Sequence, residues 1–250
     1  MRPHKLTRRG GATIAYRSSP GKTPGVVFLG GFRSDMTGEK AVGIEAFCRA
    51  REHAFVRFDY TGHGESAGEF TDGTIGRWTE DAVAVLDGLT EGPQVLVGSS
   101  MGGWIMLLAA LARPGRVAAL VGTAAAPDFT EDLIAASLTA AQWDALAAEG
   151  VVHLESEYAE PVPITAALLE DGRRHLLLRE PVPLKMQVRL IHGAADADVP
   201  WQTSLRLANA LSATDVEVIV VKDGDHRLSR PADVARLCAV LDRLLGVLDI

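Results

Sequence analysis

Positive charge is scarce in this 250-residue chain: 25 lysines and arginines stand against 32 aspartates and glutamates, a formal net charge of −7. Phosphate binding needs a basic face that releases counterions, so a nucleic-acid surface is not expected. Cysteine is rarer still. Cys48 and Cys238 lie far apart without a CxxC partner, which argues against a disulfide framework and reads as two reduced thiols on helices. No apolar run approaches the ~20 residues of a membrane-spanning helix. The opening "MRPHKLTRRG" is basic but leads into "GATIAYRSS" instead of the apolar core of a secretory signal. An organelle transit segment is the competing reading of those arginines. Because the stretch is short and runs straight into a strand-like pattern, a cytoplasmic location is expected. HExxH and paired Cys/His spacings are also missing, so neither a metal nor a cofactor is expected.

What is present is a large stock of core residues, 47% hydrophobic against 23% charged, as in ordinary globular proteins. Apolar runs recur at 25–31, 54–60, 94–100, 117–124, 187–193 and 216–224. They are continuous rather than alternating, which predicts strands covered on both faces in a mostly parallel sheet. Helix-like segments lie near 39–52, 79–90, 101–113, 200–211 and 231–248. That alternation predicts an α/β fold with helices on both faces. Thr79 with Glu80 and Asp81 reads as a helix start, Pro231 suits a first helical turn, and Pro114-Gly115 marks a helix end. One α/β domain over 1–250 is expected, interrupted at about 127–184 by a Pro-punctuated stretch whose size suggests a cap or lid.

The sharpest motif is "VLVGSSMGGW" at 96–105. It places Gly98-Ser99-Ser100-Met101-Gly102 between an apolar strand and an apolar helix, which matches Gly-x-Ser-x-Gly with Ser100 central. A serine on that sharp turn is presented at the sheet's end, and the helix N-terminus aims amides at whatever charge develops there. Ser99 has no such geometry. The Met101 amide is one candidate oxyanion donor. The loop in "VVFLGGFRSD" offers the Phe32 amide as the second, since Gly30 and Gly31 permit close approach.

A serine hydroxyl needs a base, and the base needs an acid to hold its tautomer. In strand-elbow-helix sites of this kind the chain order is serine, acid, histidine. Of seven histidines only His226, in "VVKDGDHRLS", follows a late strand in a loop before the last helix. His192 lies on a strand, His63 in a turn, and His4, His53, His153 and His175 have no comparable context. "HGAADADVP" offers Asp196 and Asp198. Asp196 is preferred, because Asp198 sits close enough to Val199-Pro200 to cap the next helix. Asp59 precedes the serine and reads as a brace for the "TGHGES" turn. Arg33 and Trp104 are candidate pocket residues. Arg33 is suited to an acidic group on a substrate or to a surface ion pair with Asp35 or Glu39, and Trp104 equally suits helix core.

Taken in order, "GGF", "RFDYTGHGES", "GSSMGGW", "HGAADADVP" and "GDHR" resemble the α/β-hydrolase superfamily. With "TDVEVIVVKDGDHR" and the segment "EDGRRHLLL", the chain is more narrowly similar to the abhydrolase-domain protein ten group, described as acyl-protein thioesterases and acyl-glucuronide esterases. The likeness runs from about residue 10 to 245. It implies an α/β-hydrolase fold with Ser100 as nucleophile, His226 as base and Asp196 as acid. It also implies acyl esters or acyl thioesters as substrates, acylated proteins among them.

Competing motifs are weaker. "GKT" at 21–23 has Tyr16 where a P-loop needs its first glycine. "GHGESA" at 62–67 fits a loose dinucleotide fingerprint but leads into "GEFTDGTIGRW" rather than an apolar helix. The expectation is a cofactor-free serine esterase or thioesterase of the ester-hydrolysing class. An amidase, a C–C hydrolase and a non-catalytic binding module are the alternatives. A histidine base predicts that kcat/KM rises through roughly pH 6–7, where an unperturbed imidazole loses its proton. A flat profile of ester hydrolysis across that range would contradict the assignment.

Overall fold

The computed structural model describes residues 2–8, 11–155 and 161–248. In chain order it contains β1 (His4–Thr7), β2 (Thr13–Ser19), β3 (Lys22–Leu29), α1 (Glu39–Ala50) and β4 (His53–Phe58). Next come α2 (Ile75–Leu89), β5 (Gln94–Ser99), α3 (Met101–Ala112) and β6 (Val117–Thr123). Then follow α4 (Ala140–Glu149), β7 (Val151–Leu154), β8 (Val162–Thr165) and α5 (Ala166–Arg173). The chain finishes with β9 (Gln187–Gly193), α6 (Gln202–Ala210), β10 (Val216–Val221) and α7 (Pro231–Leu248).

Eight of these strands form one sheet in the order β1-β2-β4-β3-β5-β6-β9-β10. It is parallel from β4 to β10, with β1 and β2 added antiparallel at one edge. Successive residues of a strand face opposite sides, and here both sides are buried. Val27, Leu29 and Leu96 join a core with Trp78, Leu86, Trp104 and Ile105 of α2 and α3. Val26, Phe28, Val95 and Val97 join a second core with Ile44 and Cys48 of α1 and Leu237, Leu241 and Leu244 of α7. This is why the runs are continuously apolar, each fully buried side chain contributing roughly 1.5–3 kcal/mol.

The strand order places the chemistry. β4 and β5 flank β3 on opposite sides, so the winding of the chain reverses there. That reversal point lies at the carboxyl ends of β3 and β5, the usual ligand position in open α/β sheets.

One local reading in this part of the chain needs correction. α2 begins at Ile75 rather than Thr79, because Thr74 caps it by accepting from the Arg77 amide. Thr79 instead donates from Oγ1 to the Ile75 carbonyl, and Asp81 turns to accept from the Thr61 amide and from Arg8. The β1–β2 hairpin falls outside the apolar runs, since its outer strand has four residues and is mostly exposed. Within 127–184 the chain forms a π-helical turn (Thr130–Ala135), α4, the antiparallel pair β7–β8 and α5. Residues 156–160 of that stretch lie outside the described residues.

That inserted segment is braced from within and tied to the body of the domain. Buried Asp128 accepts from the Leu177 and Leu178 amides, at 2.8 Å each. Asp171 accepts from the Gly76 amide at the start of α2, and Trp104 Nε1 donates to the His175 carbonyl.

Close backbone approach decides the fit of α3. A Cβ at Gly102 would stand 2.1 Å from the Leu29 carbonyl oxygen and 2.5 Å from that of Gly30. Backbone cannot rotate away as a side chain can. Gly102→Ala is therefore expected to destabilise the protein by about 3 kcal/mol, at or beyond the usual overpacking cost. Gly115→Ala, where a Cβ would meet nothing within 4 Å, is expected to stay within about 0.5 kcal/mol. Urea unfolding of the pair checks this, and equal midpoints would contradict it.

Candidate active site

Ser100 is the joint between β5 and α3, with φ 53° and ψ −120°. L-residues rarely adopt such angles, and a conformation of this kind costs about 1–3 kcal/mol. Three backbone hydrogen bonds hold it. The Ser100 amide donates to the Thr123 carbonyl at 2.9 Å, and the Ser100 carbonyl accepts from Gly103 at 2.8 Å and from Ala126 at 3.1 Å. Glycine is required on both sides: a Cβ at Gly98 would meet the Gly102 carbonyl oxygen at 2.4 Å. Ser99 is instead the last residue of β5, in register with Thr123 on β6.

The loops after β9 and β10 bring an acid and a histidine to this serine. They pack backbone on backbone: the Ala195 amide donates to the Gly224 carbonyl at 3.0 Å, and the Ala194 amide donates to that of Val221 at 2.8 Å. His226 Nδ1 lies 2.8 Å from Asp196 Oδ2, and its Nε2 lies 3.0 Å from Ser100 Oγ. A carboxylate only accepts, so Nδ1 carries the proton and Nε2 is left to accept from the serine hydroxyl. Asp196 is fully buried at its side chain, whereas His226 is 18% exposed.

Asp196 is heavily partnered. Oδ1 accepts from the Asp198 and Val199 amides at 2.9 and 2.8 Å, and Oδ2 accepts from His192 Nε2 at 3.1 Å as well as from His226. Burial alone would raise its pKa. The hydrogen bonds from His192, His226 and Val199 outweigh that and hold the carboxyl well below the usual carboxylate range. Asp198 does not cap the next helix; α6 has no side-chain cap, and the Asp198 amide serves Asp196 instead. Asp196, Asp198 and His226 bring one ligand atom each within 4.8 Å of one another. Two of the three are already bonded to each other in the serine relay.

His192 was passed over in the sequence because it lies on a strand. It is wholly buried, and its Nδ1 lies 2.7 Å from Ser204 Oγ while Nε2 faces both Asp196 and the Val199 carbonyl. Both Nε2 partners only accept, so Nε2–H donates and Nδ1 accepts from Ser204. The four-residue spacing to Asp196 at the strand's end was the available signal.

The loop after β3 forms the opposite wall. A Cβ at Gly31 would lie 3.4 Å from Ser100 Cβ. Among the described residues, neither the Phe32 nor the Met101 amide donates to a protein acceptor. The Phe32 ring makes edge contacts with Phe70, Trp78 and Phe129, centroids 5.0–5.8 Å apart. Arg33 has an exposed side chain and φ 57°, and its amide donates to His63 Nε2 at 3.2 Å. Asp59 braces the following turn through the Glu65 amide and reaches across to the Met36 amide at 2.6 Å. Trp104 is fully buried on α3, edge-on to Phe129 at 5.8 Å.

Comparison with known proteins shows the family. The sequence profile of the alpha/beta hydrolase family matches residues 26–237. The mouse protein named palmitoyl-protein thioesterase ABHD10, mitochondrial, is 41% identical over 245 residues, covering 94% of this chain and 80% of its own length. The human protein of that name is 40% identical, covering 94% and 77%. The solved structure of mouse alpha/beta hydrolase domain-containing protein 10 superposes with TM-score 0.91 at 41% identity, over 99% of this chain and 100% of that one. A putative hydrolase from Agrobacterium vitis superposes with TM-score 0.93 at 41% identity, covering 97% and 98%. These relatives overturn the cytoplasmic expectation, since those with a stated location are mitochondrial. The expectation rested on a missing secretory signal and on the basic opening being short and running straight into a strand-like pattern; the first bears on export, and neither separates one reducing compartment from another.

Proposed function

The chain belongs to the alpha/beta hydrolase family, and on that footing we propose that it is a serine hydrolase of acyl thioesters and carboxylic esters. One observation carries the reading. A serine held at positive φ shares a 3.0 Å hydrogen bond with a histidine whose other nitrogen is 2.8 Å from a buried carboxylate.

In the proposed mechanism Ser100 Oγ attacks the acyl carbonyl while its proton passes to His226 Nε2. Asp196 keeps the proton on Nδ1 beforehand and stabilises the imidazolium that forms. The carbonyl oxygen becomes an oxyanion and accepts from the Met101 and Phe32 amides, which no acceptor among the described residues occupies. The intermediate collapses with His226 protonating the leaving thiol or alcohol. Water, deprotonated by His226, then attacks the Ser100 ester and releases the acid.

Thioesters are placed first because the relatives are named palmitoyl-protein thioesterases. The Phe32 ring beside the site and the Phe70 and Phe129 rings packed against it form an apolar cluster that suits a hydrocarbon acyl chain. The substrates of this reading include acylated proteins and small acyl esters. The segment at 127–184, tied to the body through Trp104 and the Gly76 amide, acts as a cap over the site. Amidases and C–C hydrolases use the same triad, so substrate trials separate them.

The test is a series of p-nitrophenyl esters and acyl thioesters with two to sixteen carbons, assayed with wild type, Ser100→Ala, Ser99→Ala and Asp196→Asn. Ser100→Ala is expected to lower kcat by roughly 10⁵–10⁶. Asp196→Asn is expected to lower it by about 10⁴ through the wrong histidine tautomer. Ser99→Ala should remain within about tenfold of wild type. Full activity in Ser100→Ala would sink the proposal, and turnover of amides alone would move it to an amidase.

A further inference from the structure

The "TGHGES" turn contributes nothing to the relay, yet its histidine is buried beside the loop that holds Phe32. We propose that His63 is a positioning residue for the oxyanion site: its Nε2 captures the Arg33 amide and so fixes the neighbouring Phe32 amide toward Ser100. The inference rests on the hydrolase reading above and assigns a task to a histidine outside the triad.

The hydrogen-bond roles follow from the partners. Arg33 N–H is a donor, so Nε2 must accept at 3.2 Å; the Thr61 carbonyl is an acceptor, so Nδ1 must carry the hydrogen that reaches it at 3.3 Å. Only the neutral Nδ1–H form satisfies both. His63 is 4% exposed, and burial lowers its pKa to about 4 against a smaller opposing contribution from the Thr61 carbonyl. The imidazole therefore keeps its lone pair on Nε2 throughout the range where His226 acts as a base.

The surroundings fix the ring in turn. His63 is edge-on to Trp78 and Phe70, with centroids 5.2 Å away in each case. These two rings also pack against Phe32. Trp78 Nε1 donates to the same Thr61 carbonyl at 3.0 Å, and the Thr61 amide donates to Asp81 at 2.7 Å. Arg33 needs an external hold, because φ 57° is unfavourable for a residue with a Cβ. His63 supplies that hold on one side of the loop and Asp59, through the Met36 amide, on the other.

Three substitutions separate positioning from bulk. Asparagine reaches the place of Nδ1 but not of Nε2, so His63→Asn keeps the Thr61 bond and drops the Arg33 bond. His63→Gln restores an acceptor near the place of Nε2. His63→Met keeps apolar contact and drops both bonds, so the test survives if the asparagine variant does not fold. The readouts are kcat and KM for a p-nitrophenyl ester, and the affinity of an alkyl trifluoromethyl ketone whose serine adduct carries an oxyanion.

His63→Asn and His63→Met are expected to lose roughly ten- to hundredfold in kcat, as for small misplacements of catalytic groups, with KM within about threefold. Ketone affinity should fall by the same factor. His63→Gln should recover to within about threefold of wild type in both measures. A folded His63→Asn variant with wild-type kcat would overturn the inference. So would a His63→Gln variant as impaired as the other two, which would make the effect one of lost packing. Loss of every wild-type ester and thioester activity would instead defeat the hydrolase reading, and this inference with it.

Discussion

The catalytic geometry depends on how closely the end of β3 approaches the start of α3. With no side chain at Gly102, the Leu29 and Gly30 carbonyls can pass where a Cβ would collide. That contact sets Gly31 against Ser100 and brings two loop ends, from strands adjacent in the sheet, to within van der Waals contact. The strain at Ser100 is held by hydrogen bonds to Thr123, Gly103 and Ala126, so it is supported from β6 and beyond as well as from its own helix. Separate the strand end from the helix start and the loop proposed to bind the oxyanion no longer lies against the serine.

Environment gives three histidines different tasks. His226 is partly exposed between an acid and a hydroxyl, where the proposed mechanism has it carry the proton of Ser100. His192 is sealed in with Ser204, Asp196 and the Val199 carbonyl and holds one tautomer. His63 is sealed in among Trp78, Phe70 and Tyr60, and burial keeps it neutral. The donor or acceptor character of the neighbours sets opposite tautomers at the two buried rings, Nε2–H at His192 and Nδ1–H at His63.

The parallel sheet was legible because strands buried on both faces leave continuous apolar runs, and the serine turn because steric demands impose glycine at Gly98 and Gly102. Ser100, Asp196 and His226 could be picked from chain order and loop position, and the structure brings those three side chains together. Less legible was whatever depends on tertiary contact. Thr79 looked like a helix cap since cap residues carry the same local chemistry wherever they stand, and only the fold shows Thr74 accepting from Arg77. Asp198 likewise looked like a cap, but its amide turns to Asp196. The short β7–β8 pair, with prolines at Pro161 and Pro163, has too little pattern to read as strands. His63 and His192 were discounted because a turn or strand position says nothing about which amide or carboxylate lies opposite. The likeness to a known family pointed to thioesters, whereas the cytoplasmic reading, drawn from a missing export signal and a short basic opening, is overturned by the mitochondrial relatives.

The central claim is that acyl groups pass through Ser100. Acid-quenching the enzyme during turnover of a palmitoyl thioester, followed by mass spectrometry of its peptides, tests this most directly. The account predicts one palmitoyl group, on the peptide containing Ser99 and Ser100, localised by fragmentation to Ser100 and removed by hydroxylamine. Rapid turnover with no acyl adduct trapped under any quench, or an adduct on Ser99 or on a cysteine that persists in Ser100→Ala, would contradict it.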